Sequence, residues 1–300
     1  MVCPLCESSN KSLIKTIDTE RLITAWDEAY NIELGSEIGK QKTIQLFKCL
    51  TCKLQYFDPT TLAGSRHLYA QLEKIQWYYM PEKWEYEQAL SMLSGYRKVL
   101  EIGSGFGEFI KLVLAKRNLT IEGIELNRSA VREAKRRGLP VQRMDLKVTA
   151  EKFAGQYDVV CSFQVLEHVQ DPKAFLKASC QLLKKGGSLI LGLPNADSFL
   201  KYQFNLLDMP PHHITRWPVK VLFQLPSFFP LNPIELKFEP LADYHVKGYI
   251  DAYMSAIKKH RIFQLFLPQK LNELISLILR RTGIRKVLKG QSMLVSFLRV

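Results

Sequence analysis

Cysteine is scarce, with six in 300 residues, and four of these fall in two Cys-x-x-Cys pairs. That usage argues against a disulfide framework and for a reducing compartment with metal-binding thiolates. No run of about 18 apolar residues occurs, so no membrane span is expected. The start, Met1-Val2-Cys3-Pro4-Leu5-Cys6, has neither a basic n-region nor an apolar h-region, so no secretory signal is expected. A cytoplasmic protein fits these features. Internal repeats and low-complexity tracts are lacking too. Acidic residues are short, 29 against 42 Lys and Arg, for a net charge of +13. The excess is uneven. From His245 to Val300, eleven Lys and Arg are opposed only by Asp251 and Glu273, an excess of +9. A basic surface attracts phosphate, whether in nucleic acid, anionic lipid head groups or a diphosphate-carrying substrate, or it simply keeps the chain soluble. Hydrophobic residues at 47% and charged residues at 24% exclude a disordered chain.

Three regions differ in texture. Residues 1–60 hold the Cys pairs. Residues 61–96 look like a helical, aromatic-rich linker or lid, with Trp77, Tyr78, Tyr79, Trp84 and Tyr86. From 97 to 300, short apolar runs alternate with amphipathic segments, the signal of a βαβ series and a parallel sheet. Strands are predicted at 98–102, 120–125, 139–144, 157–163 and 188–193. Helices are predicted at 107–117, 128–137 and 171–183, with Pro172 in the first turn of the last. Lys185-Gly186-Gly187 reads as a turn. Ile234–Leu241 and Met293–Arg299 have strand character. Between them lies a helical stretch, 249–289, within a basic insertion over 245–290. In an open sheet of this kind, ligands bind beyond the carboxyl ends of the strands.

Glu101-Ile-Gly103-Ser-Gly105-Phe-Gly107 follows the first strand and opens a helix. Glycines there permit a tight turn and close approach of a ligand. Glu125 ends the second strand, where a carboxylate can accept both hydroxyls of a ribose. A dinucleotide fingerprint spaces its glycines G-x-G-x-x-G to seat a pyrophosphate. Here the spacing is G-x-G-x-G, and Glu101 places a negative charge just before it. That anion suits a ligand carrying an ammonium, such as the methionine part of S-adenosylmethionine (SAM), better than a pyrophosphate.

The run Val99-Leu-Glu-Ile-Gly-Ser-Gly-Phe-Gly-Glu108 resembles the first motif of class I SAM-dependent methyltransferases. Tyr157 to Val169 is similar to their fourth motif, in the form seen in ubiquinone-biosynthesis-like and sugar methyltransferases. Leu183 to Asn195 resembles their strand-five motif. The resemblance covers residues 97–217. It implies a doubly wound, Rossmann-like α/β domain with a seven-stranded sheet whose last strand, Met293–Arg299, is antiparallel. It also implies roles. Glu101, Gly103, Gly105 and Gly107 would line the methionine part, Glu125 would hold the ribose, and Asp145 would meet the adenine. Phe163 and Gln164 would lie beside the methyl donor.

Cys3, Cys6, Cys49 and Cys52 suit a tetrahedral structural zinc, since all four ligands come from protein. Residues 47–59 look like the zinc-ribbon end found before some methyltransferases from glycan clusters. Such ribbons usually carry glycine after each pair, and Glu7 and Lys53 stand here instead. Cys161 and Cys180 fall on a strand and a helix and are expected in the core.

Methyl transfer is an in-line displacement, so the enzyme mainly positions the nucleophile, with a base where that nucleophile is a hydroxyl. His168 ends the fourth strand. Pro210-Pro-His-His-Ile-Thr-Arg-Trp217 follows the fifth and resembles a segment of the glycan-associated enzymes. His168, His212 and His213 are therefore the candidates for taking a proton or binding the acceptor, and each has an alternative structural role. Asp208 with His212 and His213 also has metal-site composition, although this class needs no catalytic metal unless its substrate is catechol-like. Leu271, Leu274, Ile275, Ile278 and Leu279 share one helix face, suited to an anionic membrane or to core packing. The favoured function is O-methylation of a sugar in a nucleotide-linked or lipid-linked glycan precursor. An RNA methyltransferase with a zinc-ribbon recognition module and a non-catalytic SAM-fold adaptor are the alternatives.

Overall fold

The computed structural model describes residues 2–75, 78, 80–258 and 269–300. Trp77 and Tyr79 of the aromatic segment, and residues 259–268 of the basic insertion, lie outside the described residues.

Two sheets organise the chain. The smaller has the strand order β1-β2-β3-β9, with β1 at Lys11–Asp18, β2 at Thr43–Cys49, β3 at Gln55–Asp58 and β9 at Thr215–Arg216. All its pairings are antiparallel. Helices α1 (Thr19–Tyr30) and α2 (Gly35–Ile38) fill the gap between β1 and β2. Asp18 caps α1 by accepting from the Arg21 amide at 2.9 Å, and Asn31 ends it in the left-handed conformation. Leu22 and Trp26 of α1 are fully buried. They pack with Ile44 and Phe57, and also with Leu68, Met209 and Ile214 from later in the chain. The N-terminal sheet therefore closes only with a strand and core residues drawn from beyond residue 200.

The larger sheet has seven strands in the order β10-β11-β8-β7-β4-β5-β6. They are β4 (Lys98–Ile102), β5 (Thr120–Glu125), β6 (Val141–Arg143), β7 (Tyr157–Phe163), β8 (Leu183–Pro194), β10 (Leu231–Pro240) and β11 (Lys289–Arg299). The pairings β4–β5, β4–β7, β5–β6 and β7–β8 are parallel. Strand β11 runs antiparallel between β8 and β10. This is the doubly wound, Rossmann-like architecture with an antiparallel last strand that the sequence patterns imply.

Helices α3 (Arg66–Leu72), α4 (Trp84–Met92), α5 (Glu108–Lys116), α6 (Arg128–Arg136), α7 (Leu146–Lys152), α8 (Pro172–Leu182) and the single turn α9 (Val219–Leu222) complete the main body. The inner strands are buried on both faces, which explains their near-continuous apolar runs. Val99, Val159, Cys161, Phe163 and Ile190 meet Tyr86, Phe109 and Val113 on one side. Leu100, Val160, Leu189 and Leu191 meet Phe175, Leu176, Cys180 and the Cys3–Cys52 cluster on the other. Each such side chain contributes about 1.5–3 kcal/mol on burial, and a slip of one residue would exchange the two faces.

Three differences from the sequence expectations have local causes. Lys184 to Gly187 is part of β8 rather than a free turn. The register there steps from Tyr157–Leu183 to Val159–Ser188, and Gly186 takes up the bulge at φ 73°. The third strand shrinks to Val141–Arg143 because Asp145 begins α7, accepting from the Lys147 amide at 2.8 Å. The segment 66–96 breaks into α3 and α4, with Pro81 between them. The insertion carries α10 (Val246–Lys258) and α11 (Gln269–Arg281). No helix among the described residues is long and apolar enough to cross a membrane.

Candidate active site

A cleft of about 1840 Å³ opens at the carboxyl ends of β4, β5 and β7. This exceeds the ordinary range for one small ligand, roughly 300–1,000 Å³, so it has room for a cofactor and a sizeable acceptor. Gly103, Gly105, Glu125, Asp145, Phe163, Gln164, His168, His212 and His213 all line it. The structure thus brings together nine of the eleven residues expected from sequence to bind cofactor or act in catalysis. Glu101 and Gly107, at the two ends of the glycine loop, are not among the lining residues.

Two of the loop's three glycines have a steric reason to be glycine. Gly103 sits at φ 71°, and a Cβ there would come within 2.5 Å of the Val165 side chain. Gly107, at φ 80°, would place a Cβ 2.8 Å from Leu139. Its role is to let the start of α5 pack on the segment that leads into β6. Glu125 ties the loop down. Its Oε2 accepts from the Gly105 amide at 3.0 Å, and its Oε1 accepts from the Asn127 amide at 2.7 Å. Each oxygen keeps a lone pair for a ribose hydroxyl.

Glu101 is only 2% exposed, and its Oε2 has no hydrogen-bond partner. Burial pushes its pKa well above the usual carboxylate range, against the opposing pull of Lys83. A buried, unpartnered acceptor calls for a cation or a donor, and an ammonium fits that need. Asp145 spends one oxygen on capping α7, accepting from Lys147 and Val148 amides at 2.8 and 3.4 Å. Gln164 holds φ 57°, a strained conformation for a residue with a Cβ. Its amide donates to Gly192 O at 2.9 Å, and its Nε2 donates to Glu85 Oε1 at 2.7 Å. Those two bonds over-determine the strain and aim the segment after β7 into the cleft.

Three residues of this region escaped the sequence reading. Glu85, buried on α4, orients Gln164. Lys83 lines the cleft. Glu73, just past α3, accepts from Ser129 Oγ at 2.8 Å and Asn127 Nδ2 at 3.4 Å, tying the α3 segment to the start of α6 beside Glu125. Only the clustering of charge among aromatics over 73–86 hinted at them.

The three histidines form one cluster, with His212 and His213 buried and His168 half-buried. His168 and His212 rings are 4.5 Å apart, His168 and His213 4.7 Å, and His212 and His213 4.6 Å. His168 Nδ1 lies 2.6 Å from His212 O, and His212 Nδ1 lies 2.7 Å from Leu207 O. A carbonyl only accepts, so both Nδ1 atoms carry the proton and both Nε2 atoms keep a lone pair. His213 Nδ1 faces Asp208 Oδ1 at 3.3 Å, and Arg216 holds Asp208 at 2.5 Å. Tyr69 Oη lies 3.0 Å from His168 Nδ1, and Tyr78 Oη lies 2.8 Å from His212 Nε2. Burial lowers His168 to about 4 and holds His212 and His213 well below their ordinary value. All three are therefore neutral at physiological pH. Glu167, 1% exposed, has no hydrogen bond to either oxygen, and burial pushes it up to about 8.

The four N-terminal cysteines also converge. Cys3 and Cys52 sulfurs are 3.5 Å apart, as are those of Cys6 and Cys49, and all four lie within 4.8 Å of one another. Four thiolates about 2.3 Å from one zinc require spacings of this size. Each pair closes a knuckle: the Glu7 amide donates to Cys3 O at 2.9 Å, and the Lys53 amide to Cys49 O at 3.1 Å. Glu7 and Lys53 adopt φ 59° and 71°, the left-handed turn that glycine usually supplies. Cys161 and Cys180 are buried in the core.

The expected apolar face of α11 is divided. Leu279 is buried and Ile275 packs beside it, while Leu274 and Ile278 are exposed. The side chain of Leu271 lies outside the described residues. Arg280 and Arg285 of the basic tail pair with Asp243, and Lys247 pairs with Asp251 at 2.6 Å.

Residues 76–239 match the family model described as a methyltransferase domain. Among curated proteins, the chain is 30% identical over 187 residues to the ubiquinone biosynthesis O-methyltransferase of Psychrobacter arcticus, covering 55% of this chain and 72% of that protein. It is 34% identical over 105 residues to the protein of the same name from Escherichia coli, but that match spans 33% of this chain and 43% of the relative. Among solved structures, it superposes with a TM-score of 0.50 and 14% identity on a chain from the complex between the Haloferax volcanii Trm112 methyltransferase activator and a methyltransferase. That superposition covers 72% of this chain and 89% of the other. At that identity the likeness concerns the fold alone.

Proposed function

We propose a reaction for this chain from one premise: the chain belongs to the methyltransferase-domain family, and it is an S-adenosylmethionine-dependent methyltransferase. The proposed acceptor is a hydroxyl oxygen of a sugar in a phosphate-bearing glycan precursor. The observation that carries the oxygen acceptor is the neutral histidine cluster with its Nε2 lone pairs fixed at the cleft wall. An oxygen nucleophile must lose a proton, and this wall can take one.

Glu101 and the amides of the Gly103–Gly105 loop would hold the methionine part of SAM, Glu125 the ribose and Asp145 the adenine. When bound, SAM supplies a methyl group on a positively charged sulfur; the acceptor oxygen takes that carbon and the sulfur keeps the bonding pair. Gln164, locked by Glu85 and Gly192, would border the reacting groups. The acceptor's proton has a path through Tyr78 Oη to His212 Nε2, which are 2.8 Å apart. The Nδ1–H of His212 stays on Leu207 O throughout, which keeps the ring oriented. Arg66, Lys83, Arg128 and Arg132 line the same cleft and suit a phosphate on the acceptor.

A phenolic acceptor is the second reading. Tyr30, Tyr69, Tyr78, Tyr202 and Phe204 give the cleft an aromatic wall, and the curated relatives are named for an O-methylation in ubiquinone biosynthesis. The Cys cluster is proposed to hold a structural zinc, since its four sulfurs meet the donor chemistry and spacing. Incubating the protein with methyl-labelled SAM and separated pools of sugar nucleotides, lipid-linked glycans, phenols and RNA tests the acceptor. Label is expected in a glycan pool. Label confined to phenols supports the second reading, and label confined to RNA overturns both.

A further inference from the structure

We propose that α10 and the turn Phe199–Tyr202 build a second subsite at the far end of the cleft, which binds an uncharged sugar ring beside the one that is methylated. The sheet sets the span. The groups expected to hold SAM follow β4, β5 and β7, whereas Gln291 and Ser292 line the cleft from β11. Strand β11 lies two strands beyond β7, and Ser292 pairs with Pro194 at the end of β8. At about 4.8 Å per strand, β11 stands roughly 10 Å past β7. The cleft thus continues beyond the reacting groups by enough for another ring. Charge divides the same way. Arg128 and Arg132 line it from α6, which follows β5 toward the opposite end. From Pro194 onward, the described lining residues include no Lys or Arg.

The far end is held rigidly. Gly248, Asp251 and Ser255 of α10 line the cleft, at a spacing of three and four residues that shares one helix face. Val246 and Ile250 of the same helix pack with Phe199, Leu200 and Leu279 in a small core of their own. Ring contacts lock the turn to the helix, with centroids 5.5 Å apart for Phe199 and Tyr249 and 5.3 Å for Tyr202 and Tyr253. Gln203 Nε2 donates to Gly248 O at 2.6 Å. A site braced in this way is formed before its ligand arrives.

The chemistry of the lining matches a pyranose. Tyr202 and Tyr244 are exposed and line the cleft, and they suit the C–H faces of a sugar ring. His245 lines it too; its Nδ1 is buried and has no hydrogen-bond partner. Burial lowers this ring's pKa to about 4, so it is neutral and can meet a hydroxyl. Asp251 meets Lys247 through Oδ2 at 2.6 Å, and its Oδ1 would accept from a second hydroxyl. An apolar tail placed here would leave these polar groups without partners. That the ring belongs to the methyl acceptor rests on the glycan reading; the subsite does not.

Gly248 provides the means of testing it. A Cβ there would meet only Gln203 Nε2, at 3.7 Å. A larger side chain therefore enters the subsite without disturbing the helix, in which leucine is the better former. Saturation-transfer NMR on the full chain loaded with S-adenosylhomocysteine, with cellobiose and N,N′-diacetylchitobiose as probes, reads binding without methyl transfer. The wild type should show transfer to at least one disaccharide. Gly248→Leu and Asp251→Ala should each weaken that binding at least about tenfold, while SAM affinity and Tm hold. No transfer to either disaccharide in the wild type overturns the proposal, as does unchanged affinity in both variants. Disaccharide binding that the variants lose, in a protein that methylates only phenols, supports the subsite and removes the glycan acceptor instead.

Discussion

Glu101 and Glu125 are carboxylates at the ends of adjacent strands, yet their surroundings set them to different tasks. Glu125 is tied to two backbone amides and shapes the loop. Glu101 is buried with a free oxygen and a raised pKa. Binding an ammonium ligand would favour its ionised form, so SAM binding should release a proton. In the free protein the group holds its proton to higher pH than an ordinary carboxylate. Affinity should therefore rise with pH above the ordinary carboxylate range, by up to about tenfold per unit, until the group is ionised in the free protein. Glu101→Gln should weaken binding about 10- to 100-fold and flatten that dependence; calorimetry across this range checks both. Tyr78→Phe and His212→Ala should each lower kcat about 10²- to 10⁴-fold, with little change in KM for SAM, measured at saturating acceptor. The glycines, Glu125 and the histidines were legible from their place after apolar runs. Glu167 was not, because a Glu beside a His carries no sign of total burial. Glu85 and Lys83 were not, because contacts across 79 residues leave no local pattern.

At the scale of elements, the parallel strands and their helices were legible because period and caps agree. Asp171 before Pro172 and Asn127 before Arg128 both cap as their residue types suggest. The Cys knuckles were legible from spacing, whereas the left-handed turns at Glu7 and Lys53 were not, because those residue types rarely adopt them. The two-residue strand β9 left no pattern at all. It matters, because it joins the N-terminal sheet to the segment that bears His212 and His213. Losing the zinc proposed for this cluster should therefore reach the candidate active site. Cys52→Ser, or chelation, should lower Tm by at least about 5 °C. It should also speed amide exchange across 206–217 before the strands of the larger sheet respond. Uniform exchange over the whole chain would show instead that the sheet unfolds as one unit with the core.

For the whole molecule, the positive charge has two fates. Arg280 and Arg285 are partly spent on Asp243, while Arg66, Lys83, Arg128 and Arg132 stand at the cleft. Among the described residues, the charge placed to meet the proposed phosphate-bearing acceptor is the cleft's own. Methyl transfer to a phosphate-bearing acceptor should accordingly lose kcat/KM as salt rises from about 50 to 200 mM, whereas SAM affinity should hold. A neutral phenol should show no such loss. The central claim is that the glycine loop and Glu101 hold SAM at this cleft. Calorimetric titration of SAM into wild-type protein and Gly103→Arg tests it most directly, because any side chain at that position meets Val165. The expected result is one site per chain in the wild type and none in the variant, with the metal content of the Cys cluster unchanged. Equal affinity in the two proteins would contradict the account.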